Sequence, residues 1–236
     1  MPESVPVPES VPESMMDWVH AAERAYVAAA VAGARGVAAA APAATGAATA
    51  ALAAAAATAG APGTSQLLAI DVKARAIAAA GAVASHYLAV GTPRSFGIII
   101  DAAGDAAAAA LSLTAHRTWF APRDIRCAAT GGGAAELAVA TGGRVVSIDE
   151  ALACDIVHVH STSLRILPTQ LRRGTHVNAL SAAGFAPELL ALATVVPEAG
   201  LPALAAGLVD GRQLDELTIF TIDGAPIAAR ALTLAG

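Results

Sequence analysis

From about residue 95 onward, apolar and polar positions come in alternating blocks. Short apolar runs, Ser95 to Asp101, Ile125 to Thr130, Val145 to Ile148, Ile156 to His160, His176 to Ala179 and Thr194 to Val196, are separated by helical or turn segments such as Asp105 to His116 and Gly133 to Thr141. Runs this short, rich in Ile and Val and bounded by Gly, Thr or Ser, read as buried strands. Strands that alternate with helices imply a parallel, doubly wound sheet of α/β class. Upstream the period changes. Trp18, Ala22, Ala25, Tyr26 and Ala29 recur at helical spacing behind Ser14, a helix-capping residue, with Asp17 in the first turn and Gly33 and Gly36 at the expected end. Leu67 to Ile70 reads as a short strand and Val72 to Ala89 as a helix with few large residues.

Two stretches carry no such pattern. Pro2 to Ser14 varies a Pro-Glu-Ser-Val theme, which predicts a solvated, disordered tail. Val37 to Ala61 is almost all alanine, so its composition permits helix while no face is marked. It is long enough to span a bilayer, but Pro42, Gly46, Gly60 and the near absence of Leu, Ile, Phe and Val argue against insertion.

Composition sharpens this picture. Of 236 residues, 56% are hydrophobic but only 3% aromatic, so most of the apolar content is alanine, which buries little area per residue. A scaffold of closely approaching backbones is the expected outcome. The formal charge of -5, with no cluster of Lys or Arg, argues against nucleic acid as a partner. No basic segment precedes a Leu-rich core near the N-terminus, so no secretory signal is read and the cytoplasm is expected. Cys127 and Cys154 each fall in or beside a strand-like run and are read as buried thiols of a reducing compartment.

Leu171 to Ala182, reading LRRGTHVNALSA, resembles the L-x-P-G-x-H-V-N-A-x-G-A-D motif of the ornithine cyclodeaminase and mu-crystallin family of NAD(P)-dependent enzymes. Ala84-Ser85-His86-Tyr87-Leu88 is similar to that family's A-A-R-Y-L, and Leu217 to Leu234 to its C-terminal helix, with Thr218-Ile219-Phe220 and Gly224 retained. The resemblance implies a Rossmann-like domain at 93-209. It also implies a small, Ala-rich, mainly helical flanking domain from 15-92 plus 210-236, which in the family mediates dimerisation, so a homodimer is expected.

The resemblance also implies a cofactor, NAD or NADP. The family's first Rossmann strand runs into a glycine loop that lets backbone approach a pyrophosphate at a helix N-terminus. Aligned without gaps on Phe96-Gly97-Ile98-Ile99, both glycines are lost, to Ile100 and Ala102; with the strand two residues longer the loop reads Ala102-Ala103-Gly104-Asp105-Ala106-Ala107. The longer register is preferred because it places Gly104 where a Cβ is least tolerable. Ala102, Gly104, Thr130 and Ser161 then line the cofactor. Gly131-Gly132-Gly133 offers either an anion-binding nest or a plain turn, and Ser161-Thr162-Ser163 a hydroxyl-rich turn. Asp101 and Asp105 flank the loop with negative charge, unfavourable to a phosphate by about 1 to 4 kcal/mol at 4 Å, so weak or absent cofactor binding is expected.

The family's substrate-carboxylate arginine has one nearby candidate, Arg75, whose planar fork suits two carboxylate oxygens. The family's proton-transfer Asp falls on Ala183, and no Lys occurs before Lys73 to take the catalytic lysine's place. His158, His160 and His176 form a further constellation, with Cys154 or Asp155 as remote partners, but the spacing is too weak to assign a metal. No Gly-x-Ser-x-Gly elbow or P-loop occurs. Two functions remain: a catalytically degenerate homologue with a binding, regulatory or structural role, or a divergent NAD(P)-dependent oxidoreductase or cyclodeaminase acting on a small amino acid or cyclic imine.

Overall fold

The computed structural model describes residues 13–34, 64–211 and 215–222. The tail at 1–12, the alanine-rich stretch up to residue 63 and the segment from 223 lie outside the described residues.

Seven strands form one sheet: β1 (Ser95–Ile100), β2 (Asp124–Ala129), β3 (Arg144–Val145), β4 (Ile156–Val159), β5 (His176–Ala179), β6 (Thr194–Pro197) and β7 (Thr218–Thr221). All pairings are parallel and the order is β3-β2-β1-β4-β5-β7-β6. Two longer helices, α1 (Glu13–Ala34) and α2 (Thr64–Leu88), precede the sheet. The others are α3 (Ala106–His116), α4 (Ala134–Thr141), α5 (Ile148–Leu152), α6 (Pro187–Leu192) and α7 (Leu201–Ala205). This is the Rossmann-like α/β arrangement that the alternating pattern predicts. The chain winds outward from β1 to β3, then returns to β4 on the other side of β1, and that reversal opens a crevice at the carboxyl ends of β1 and β4.

Strand β1 shows why its apolar run is continuous: side chains leave it on both faces into covered space. Ile98 and Ile100 pack with Ala109, Leu113 and Leu137 under α3 and α4. Ile99 points the other way, into a cluster with Leu152 of α5, Val157, Val177 and Leu189 of α6. Gly97 lets β1 press on α5, since a Cβ there would lie 2.1 Å from the Ala151 carbonyl oxygen. Helices α1, α2 and α7 add a third cluster on the α3 side, in which Val19, Tyr26, Val83 and Leu204 meet Phe220 of β7. Ala76, Ala78, Ala79, Ala80, Ala82 and Ala84 of α2 are fully or almost fully buried, so the small side chains serve close approach.

Several sequence expectations change. Leu67 to Ile70 is not a strand but part of α2; an apolar run of this length fits either period, and its continuity with strong helix formers decides. Gly33 lies inside α1, which begins one residue before Ser14. Ile148 opens α5 behind a capping box in which Ser147 and Glu150 exchange bonds. Thr218–Thr221 is no part of a returning helix: it is a buried strand inserted between β5 and β6. Among the described residues no helix is long and apolar enough to cross a membrane.

Candidate functional site

The crevice at the carboxyl ends of β1, β2 and β4 is built around one side chain. Asp101 is the first residue after β1, and its Oδ1 accepts hydrogen bonds from Thr130 Oγ1 (2.8 Å), Ser161 Oγ (2.5 Å) and Ser163 Oγ (2.6 Å). Its Oδ2 accepts from the Thr162 backbone N–H (2.8 Å) and Thr162 Oγ1 (3.3 Å). Thr130 follows β2 and Ser161 to Ser163 follow β4, so the loops of three adjacent strands converge on one carboxylate. Backbone bonds set them in place: Thr130 N–H donates to the Ile100 carbonyl, Gly131 N–H to the Asp101 carbonyl and His160 N–H to the Ile99 carbonyl. Burial alone would raise the Asp101 carboxyl pKa, but the bonds from Ser161, Ser163, Thr162 and Thr130 together outweigh it and hold the group well below the usual carboxylate range.

The helix entry beside it is occupied in the same way. A short 3-10 turn, Ala103–Asp105, leads into α3, and Asp105 Oδ2 accepts the Ala102 N–H at 3.1 Å. That amide belongs to the loop that a pyrophosphate would approach in a dinucleotide-binding Rossmann fold. The glycine requirement has moved to the second loop. Gly133 has φ +89, and a Cβ there would lie 2.4 Å from Ala103 Cα; a Cβ on Gly131 would lie 2.8 Å from the Asp101 carbonyl oxygen. A Cβ on Gly104, by contrast, would meet nothing within 4 Å. Among the described residues none requires glycine at that position, so the space that the sequence reading assigned to phosphates is left open by the chain itself.

Of the residues that sequence reading nominated, Thr130 and Ser161 are brought together, both onto Asp101, while Ala102 and Gly104 are exposed on the neighbouring turn. Arg75 lies elsewhere: its guanidinium carbon stacks 3.9 Å above the Trp18 ring, a cation–π contact between α2 and α1. Ala183 is exposed in the 3-10 turn after β5, where its N–H is held by Ser181 Oγ at 3.1 Å. Sequence reading saw Asp101 only as an unfavourable flank and missed its role as a hub. The available signal was complementarity: one carboxylate after β1, with hydroxyl residues after β2 and β4.

The crevice presents two carboxylates: Asp101, ringed by hydroxyls whose protons are committed inward, and Asp105, which holds the Ala102 amide. Toward a ligand it offers acceptor oxygens and negative potential. A dinucleotide pyrophosphate is met by N–H groups and a positive field, and the two carboxylates oppose that field here.

The three nominated histidines are buried beneath the crevice. His158 and His160 stack with ring centroids 4.5 Å apart, and His176 donates from Nε2 to Asn178 Oδ1 (3.2 Å) and accepts at Nδ1 from Thr218 Oγ1 (2.8 Å). Among the described residues no group of three or more His, Cys, Asp or Glu is placed to hold a metal ion. Cys127 and Cys154 are free and buried, and burial raises both thiols, Cys154 to about 11.

No protein-family model and no curated protein matches the sequence. Solved structures do. An archaeal alanine dehydrogenase dimer with bound NAD is 23% identical, with a TM-score of 0.53 over 69% of this chain and 65% of that one. The iminosuccinate reductase of Paracoccus denitrificans in complex with NAD+ is 22% identical, with a TM-score of 0.59 over 70% and 62%. A lysine cyclodeaminase is 23% identical, with a TM-score of 0.52 over 70% and 59%. The chain thus spans somewhat less than two thirds of the length of each. The fold implied by the motif resemblance is the fold observed.

Proposed function

We propose that this chain is a catalytically degenerate relative of the NAD-dependent dehydrogenases and cyclodeaminases whose fold it shares, with a binding or structural role in place of hydride transfer. The observation that carries the reading is the Asp101 hub, supported by Asp105 on the Ala102 amide. A fixed carboxylate opposes each phosphate charge at 4 Å by about 1 kcal/mol in water and about 4 kcal/mol at the dielectric of a protein surface, which is one to three orders of magnitude in affinity per pair. The motif's proton-transfer position, Ala183, carries no ionisable group. A homodimer belongs to the same reading, supported by the dimeric alanine dehydrogenase neighbour.

The test is calorimetric titration of the purified chain with NADH and NADPH. The proposal expects no saturable binding tighter than about 100 µM, equivalent to about 5 kcal/mol. Saturable binding below that concentration would overturn it. The alternative, a divergent NAD(P)-dependent enzyme acting on an amino acid or cyclic imine through Arg75, rests on the NAD-bound neighbours. Turnover with such a substrate in the presence of NADH would establish it.

A further inference from the structure

Between α2, α3 and the sheet lies a layer of polar side chains in an otherwise alanine-rich interior. Its connectivity follows from one contact. His116 Nδ1 lies 2.6 Å from the Ser112 carbonyl oxygen, which can only accept, so Nδ1 carries the proton and the neutral ring leaves Nε2 as an acceptor. Ser85 O–H then donates to that Nε2 (2.8 Å), and Ser85 Oγ accepts from Asn178 Nδ2 (2.9 Å). Asn178 Oδ1 accepts a hydrogen bond from His176 Nε2–H, leaving His176 Nδ1 to accept from Thr218 O–H. A second branch joins Ser112 Oγ to His160 Nε2 (3.1 Å) and His158 Nε2 (3.4 Å). His158 Nδ1 is buried with no hydrogen-bond partner.

Every bond in the main branch is made with neutral rings. A proton added to His116 Nε2 would put a new N–H against the Ser85 hydroxyl, which now donates to that nitrogen, and against the amide NH₂ of Asn178, also a donor, at 3.3 Å. Protonated His158 and His160 would stack charge on charge at 4.5 Å, with His116 edge-on to His158 at 5.9 Å. The titratable groups that face the layer are His116 of α3, His158 of β4, His160 just after β4, His176 of β5, and at the rim Asp105, beside His160. From α2 comes Ser85, from α3 also Ser112, and from β7 Thr218, all uncharged. Around them α2 packs through alanines mostly against α3 and α1 and touches the sheet mainly at β5 and β7, so the polar layer carries a large share of its specific attachment to the sheet.

We propose that this histidine layer is an acid-responsive latch: protonation of its buried rings, His116 beside Ser85 and the stacked pair behind it, releases the α1–α2 layer from the sheet while the sheet stays folded. The latch is independent of the reading of the Asp101 crevice.

Amide hydrogen exchange on the full chain from pH 7.5 to 4.5, corrected for intrinsic exchange rates, tests it. This readout is preferred to tryptophan fluorescence, because His20 and His86 both touch Trp119. Below about pH 6 the amides of residues 76–88 should lose protection at tenfold to a hundredfold per pH unit, the signature of one to two protons, and should stay at least tenfold less protected than those of β1, β4 and β5 throughout, because release of the helices precedes opening of the sheet. Helices and strands exchanging at the same protection level throughout would overturn the latch in favour of global unfolding, and so would helix protection that stays flat to pH 4.5. A His160→Gln variant, which keeps a polar partner for Ser112, should lower the steepness by about one proton. An unchanged slope would also overturn it.

Discussion

Replacing Asp101 by Asn keeps the shape of the hub and removes its charge, which makes it the sharpest probe of the crevice. Asparagine has one acceptor oxygen where the carboxylate has two. With that oxygen toward Thr130, Ser161 and Ser163, the amide NH₂ faces the Thr162 N–H, donor against donor, at the 2.8 Å now bridged by a hydrogen bond. Turned over, the NH₂ meets three hydroxyls that must redirect their protons, one of which, Ser161 Oγ, already accepts from Leu164 N–H. At least two bonds to a charged acceptor are lost either way. Such bonds contribute about 1.5 to 3 kcal/mol each, and partial exposure reduces them, so a loss of about 2 to 3 kcal/mol is expected. Urea unfolding of wild type and variant measures it directly. The sign with pH is set by the depressed carboxyl: its contribution is fully present above the unfolded carboxylate pKa and is lost only as pH falls through the lower folded value. The difference between the two proteins should therefore be constant from pH 7 to pH 5. A loss under about 0.5 kcal/mol, or one that fades by pH 6, would refute the hub as a stabilising centre.

Other consequences are equally direct. Gly97→Ala forces a Cβ to within 2.1 Å of the Ala151 carbonyl oxygen, and since backbone must move to relieve it, unfolding free energy should fall by about 2 to 4 kcal/mol in the same urea assay. Gly133→Ala combines a φ of +89 with a 2.4 Å approach to Ala103 Cα, so it should cost about 2 kcal/mol or more and displace the β1 loop, seen as altered exchange at 102–105. Burial pushes His116 and His160 down to about 4, in His116 against the opposing bond to Ser112. Both rings are neutral in the fold, so stability is complete above the unfolded pKa of about 6.5 and is lost as pH falls toward 4, by about 3 kcal/mol for each ring. A stability profile that is flat between pH 6.5 and 4.5 would contradict this.

The parallel sheet was legible because its strands are buried on both faces. Ile98, Ile99 and Ile100 must all be apolar, and such a run stands out in a chain dominated by alanine. Where alanine prevails, the pattern falls silent: α2 buries six alanines that mark no face in the sequence, and Leu67 to Ile70 could be assigned to either period. β7 was hidden for a different reason. Its place between β5 and β6 depends on pairings with strands far away in sequence, which no local pattern records.

The candidate site divides along the same line. Sequence alone determined which residues stand at the strand ends, Asp101, Thr130 and Ser161 to Ser163 among them, because strand length and turn chemistry are local properties. By resemblance it also aligned Ala183 with the motif's proton-transfer position. Only the tertiary structure decided that those hydroxyls point at Asp101 and commit their protons to it. Hydrogen-bond partnership depends on positions to within a fraction of an ångström, and these are set when three strands distant in sequence are brought side by side.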